Sequence, residues 1–110
     1  MHGRDARLAH NESLFRRANE RISQHAEQRP DVAPGTPIAF YCECANADCT
    51  ERVTMTELEY EALRSDPTHF AVVDGHEFLE LERVVDRKAS YLIVQKLGDA
   101  ARTAIADQPS

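Results

Sequence analysis

The chain has 110 residues, of which 42% are hydrophobic and 29% charged, with a formal net charge of -6. That length suits one domain with a modest core, and the apolar share excludes wholesale disorder. The acidic balance argues against nucleic-acid binding, and no apolar run approaches the ~20 residues of a membrane-spanning helix.

The charge is uneven. Residues 1–30 hold six Arg against four Asp or Glu, whereas residues 31–110 hold seven Lys or Arg against fifteen acidic residues. The first residues are followed by no apolar stretch of the secretory kind, so the expected compartment is the cytoplasm, where thiols stay reduced. Three Cys, an odd number, fit poorly with a closed disulfide framework.

In chain order, the first predicted element is a helix from about Glu12 to Gln28 with Asn11 as its cap. Its apolar positions, Leu14, Phe15, Ala18, Ile22 and Ala26, form a narrow stripe. Leu8, Phe15 and Ile22 also recur every seven residues, a short heptad pattern. Such a stripe can pack on the chain's own sheet or dock on a protein partner or a second copy as a homodimer, with Arg16, Arg17 and Arg21 beside it. Pro30, Pro34, Gly35 and Pro37 mark residues 30–37 as a linker.

Ile38 to Tyr41 suits a strand, and Arg52 to Met55 suits the return strand of a hairpin. Thr56 and Glu59 predict a capping box opening a helix over Glu57 to Arg64, with Leu58, Ala62 and Leu63 inward. His69 to Val73 reads as a strand ending in an Asp74-Gly75 turn. Leu79 to Asp86 and Tyr91 to Lys96 read as a hairpin with a bulge near Val84 and Val85. The tail from Gly98 has short helical character and a polar end. The expected fold is α+β: an N-terminal amphipathic helix (1–29), the linker (30–37), a metal-binding domain (38–97) with a small antiparallel sheet and one packed helix, and a C-terminal tail (98–110).

The most informative segment is Cys42-Glu43-Cys44-Ala45-Asn46-Ala47-Asp48-Cys49, which holds every cysteine of the chain within eight residues. Zinc takes four tetrahedral ligands and favours thiolate, and the small, turn-forming residues between these cysteines suit wrapping around one ion. Among the histidines, His76 follows the Asp74-Gly75 turn and is preferred as fourth ligand over His69, which opens a strand. Asp48, Glu43 and Asp74 are other candidates, and Arg52 is placed to offset the site's negative charge. Zn2+ is the expected ion; a 2Fe-2S cluster on the same residues is the alternative.

Phe40-Tyr41-Cys42-Glu43-Cys44, Cys49, the Glu57–Arg64 stretch, Phe70 and Gly75-His76-Glu77 together resemble a group of small uncharacterised actinobacterial proteins. These share a C-x-C-x4-C cluster and a downstream G-H-E segment. The resemblance covers roughly residues 11–96 and implies that His76 belongs to the same signature, but it implies no activity. Where that group often has Gly after the second Cys, this chain has Ala45.

No H-E-x-x-H, deaminase-type or phosphate-loop motif is present. The expected function is therefore a zinc-stabilised protein-interaction or regulatory module without catalysis. The alternatives are a thiol-based redox or iron–sulfur sensor, and a metal-dependent enzyme with an open three-thiolate site flanked by Glu43 or Glu77.

Overall fold

A computed structural model describes residues 2–29, 31, 33 and 35–107, with side chains from Asn11 onward. Met1, the linker residues Pro30, Val32 and Pro34, and residues 108–110 lie outside the described residues, as does the side chain of Leu8. The elements are α1 (His2–Glu27), β1 (Ile38–Tyr41), β2 (Arg52–Met55), α2 (Glu57–Arg64), β3 (His69–Val72), β4 (Glu82–Arg87), β5 (Leu92–Lys96) and α3 (Gly98–Ala106). The fold is α+β, as the sequence implied. Its strands form two antiparallel sheets where one was expected: β1 with β2, and a second in the order β3-β5-β4. Among the described residues no helix is long and apolar enough to cross a membrane.

The first hairpin pairs Ile38 with Met55 through Tyr41 with Arg52, and Cys42 extends the ladder by donating its N–H to Glu51 O at 3.1 Å. The cysteine segment is thus the loop of this hairpin. Thr56 and Glu59 form the expected capping box on α2, which satisfies two otherwise orphaned N–H groups. The inward face of α2 differs from expectation. Tyr60 and Leu63 are buried, whereas Ala62 is exposed and Leu58 is 67% exposed. Residues three apart share a face, and Tyr60 stacks on Phe40 with ring centroids 4.6 Å apart.

In the second sheet, β4 begins at Glu82, and Leu79 lies outside it on an exposed turn. The expected irregularity is present as a register shift between Val84 and Asp86, which leaves Val85 as the extra residue. The inner face of this sheet buries Phe70, Val72, Leu92 and Val94 against Cys42, Cys44 and Ala104.

α1 departs most from the sequence reading. It starts ten residues earlier than expected, so Asn11 lies within it and does not cap it. Among its described side chains the buried ones are polar: Glu12, Ser13, Arg16, Asn19 and Ser23. The apolar stripe lies beside this face. Phe15, Ala18, Ile22 and Ala26 are half-buried and Leu14 is 48% exposed. Much of the polar face is paired with long-range partners, although Glu12 Oε1, Ser13 Oγ and Arg16 Nε are buried without one among the described residues. Arg16 donates to Pro67 O and Ala104 O, each at 2.8 Å. Ser23 donates to Glu57. Lys96, wholly buried, pairs with both Glu12 and Glu82.

Candidate metal centre

Three elements converge on the cysteines. Cys42 directly follows β1, Cys44 and Cys49 belong to the hairpin loop, and His76 stands on the turn after β3. That turn closes by a hydrogen bond from His76 N–H to Val73 O at 2.9 Å, with Gly75 at φ +94°. A positive φ at the third position is what a type II turn requires, and Gly adopts it without steric cost. The turn carries the imidazole back to the sulfurs.

The ligand atoms of Cys42, Cys44, Cys49 and His76 all lie within 4.8 Å of one another, close enough to hold a metal ion. His76 Nδ1 is 3.6 Å from both Cys42 Sγ and Cys49 Sγ. Tetrahedral zinc with ordinary Zn–S and Zn–N bond lengths separates a sulfur from a nitrogen by about 3.6 Å and two sulfurs by about 3.8 Å. These two sulfur–nitrogen edges match an ion-centred tetrahedron, and three thiols with one imidazole are a donor set suited to zinc.

Backbone groups around the site oppose part of the cost of burying the sulfurs. The Val73 N–H donates to Cys42 Sγ at 3.2 Å. The backbone at Asn46 lowers the Cys44 thiol, and that at Glu51 lowers Cys49. Such outer-shell donors stabilise and orient metal-bound sulfur. The three sulfurs also compete for protons. Cys42 is raised well above the usual thiol value, first by donating to Cys44 and then by burial. Cys44 is held down to about 5, chiefly by that same hydrogen bond against the cost of burial. Burial is also the largest cause raising Cys49. Crowding three thiolates in a largely buried site is costly without a cation, which a metal ion held there would supply.

His69 stands apart from this group, with Nε2 3.4 Å from Asp66 Oδ2 at the start of β3. Glu43 is fully buried and its carboxylate is occupied elsewhere. It accepts from Arg64 at 2.9 Å, Ala71 N–H at 3.0 Å and Asn19 at 2.8 Å. Glu77 accepts from Gly75 N–H at 2.7 Å. Asp48 and Asp74 are exposed and are not part of the cluster. The Arg52 guanidinium lies 3.8 Å over the Tyr41 ring. Asn11 and Asn19, which sequence reasoning did not connect with the metal segment, both reach it. Asn11 donates to Ala45 O at 3.3 Å, and the Asn19 amide donates to Tyr41 O at 2.9 Å and accepts from Tyr41 N–H at 2.7 Å. Their one sequence signal was the helical spacing of polar residues.

No family model, curated protein or solved structure matches this chain.

Proposed function

We propose that this chain binds one zinc ion through Cys42, Cys44, Cys49 and His76, and that it works as a zinc-stabilised interaction or regulatory module without catalysis. The observation that carries the reading is the placement of His76 Nδ1, 3.6 Å from two of the sulfurs. A fourth protein ligand closes the coordination sphere, as structural sites do, whereas catalytic zinc keeps a position for water. The site joins a hairpin loop to a turn 27 to 34 residues further on. An ion held there cross-links the two segments, a staple from which a small core gains. The partner surface is assigned to α1, for a protein partner or a second copy.

A two-iron cluster spreads its ligands over two metals, so it needs a wider set than four donors within 4.8 Å. That spacing favours the single ion. Elemental analysis of purified protein with its visible spectrum tests the reading. The expected result is one zinc per chain and no colour. A brown, iron-containing protein, or one that retains no metal, overturns it.

A further inference from the structure

α1 meets the body of the protein through the buried polar residues Glu12, Ser13, Arg16, Asn19 and Ser23. Beside it, Phe15 and Ile22 are half-buried, Phe15 with its ring 6.2 Å from that of Tyr41 and Ile22 against the core around Phe40. Specific hydrogen bonds add to this contact, and several run to the metal segment. Asn11 donates to the carbonyl of Ala45, the residue after Cys44. Asn19 pairs with both backbone groups of Tyr41, the residue before Cys42, and donates to Glu43.

Glu43 is the centre of this arrangement. It stands between two of the four candidate ligands and is wholly buried. One carboxylate oxygen takes Asn19 of α1, and the other takes Arg64 of α2 and the Ala71 N–H of β3. Its own N–H donates to Ala71 O at 2.8 Å. The carboxylate thus joins two helices and a strand, while its backbone is held on both sides by ligand residues.

We propose that Glu43 is the positioning residue that couples metal binding at Cys42, Cys44, Cys49 and His76 to the docking of α1, so that loss of metal loosens the helix from the body. The inference rests on the zinc reading above. With Cys42 and Cys44 on one ion, the backbone between them is fixed and the carboxylate is aimed at Asn19. Without the ion, three crowded sulfurs no longer favour that geometry. When the carboxylate shifts, the buried Asn19 and the half-buried Arg64 are left with incomplete partners, which costs more than losing the same bonds at a surface. Coupling of this kind is reciprocal: the ion favours the docked helix by the same factor as docking favours the ion, so undocking α1 weakens metal binding by up to that factor.

Hydrogen exchange on the full chain tests the coupling, with zinc bound and after its removal by chelator. Cobalt absorption serves as an independent check that the thiolate site is intact. Removing zinc is expected to speed exchange of α1 amides over residues 12–27 at least tenfold, while β3 and β5 keep their protection. Glu43→Gln is expected to retain the cobalt–thiolate absorption but to show a loose α1 with metal present, and to bind zinc at least tenfold more weakly. Asn19→Ala, which removes the helix side of the contact, is expected to behave the same way and decides the matter if Glu43→Gln does not fold. Equal α1 protection with and without metal overturns the coupling, as does simultaneous loss of protection everywhere. If metal binds and α1 does not respond, the coupling alone fails. If no metal binds, the zinc reading fails and the coupling with it.

Discussion

His76→Ala removes the imidazole that stands 3.6 Å from two sulfurs. Deleting an outer-shell partner of a metal ligand typically costs 10–100-fold in affinity, and deleting a ligand is expected to cost at least the upper figure. A hundredfold loss is about 2.7 kcal/mol. Because the ion stabilises the folded chain by mass action, the same amount disappears from stability at a fixed metal concentration. For a domain of this size that lowers the melting temperature by roughly 10 °C. His69→Ala is the control. Its imidazole faces Asp66 at 3.4 Å with both side chains partly exposed, an interaction worth at most about 1 kcal/mol. Zinc affinity by competition with a chromogenic chelator, together with melts in the presence of zinc, separates the two variants. Equal affinity in His76→Ala and His69→Ala refutes the reasoning and points to a carboxylate or water as the fourth ligand.

Chelator treatment of the wild-type chain is expected to lower the melting temperature, and an unchanged melt with metal confirmed absent contradicts a structural role. Gly75→Ala is expected to cost about 1–2 kcal/mol in denaturant unfolding, because φ there is +94° while an added Cβ meets nothing within 4 Å; a neutral effect means the turn can readjust. Lys96→Met leaves the buried Glu12 and Glu82 carboxylates without their shared cation. The expected loss of stability is about 3–5 kcal/mol, and a loss under 1 kcal/mol would show that the carboxylates are already relieved by protonation. Burial raises Glu12 well above the ordinary carboxylate value although Lys96 opposes the shift. A folded-state value above the unfolded one contributes stability at low pH that is lost as pH rises through the folded value. Glu12→Gln should therefore flatten a decline in stability on the alkaline side of the ordinary carboxylate range, and parallel pH–stability curves for the two proteins contradict this.

Features with local causes were legible in the sequence. The capping box of Thr56 and Glu59 needs only residues three apart, and it is formed as expected. The bulge beside Val85 followed from apolar residues that could not all face one side of a strand, and the register shift falls there. His76 could be preferred over His69 because the Asp74-Gly75 turn is a local signal, and His76 is the histidine that lies with the sulfurs. The orientation of α1 was not legible. Periodicity identified its apolar stripe, but the positions that face the body are Glu12, Arg16, Asn19 and Ser23. Their partners are the backbone at Tyr41, Pro67 and Ala104 and the side chains of Glu43, Glu57 and Lys96. Lys96 itself joins Glu12 to Glu82. Such long-range polar pairing leaves no apolar pattern to detect. The same reasoning accounts for Glu43. Its place between two cysteines suggested a ligand or a catalytic group, whereas Arg64, Ala71 and Asn19 turn its carboxylate into an internal tie.

X-ray absorption at the zinc edge of the purified protein tests the central claim most directly, because it counts the ligand atoms around the ion. The account predicts three sulfurs at about 2.3 Å and one nitrogen at about 2.0–2.1 Å in a four-coordinate shell. In His76→Ala the nitrogen should be lost while the three sulfurs stay. A wild-type shell made mainly of oxygen, or one with fewer than three sulfurs, would contradict the assignment of Cys42, Cys44, Cys49 and His76 as a closed zinc site.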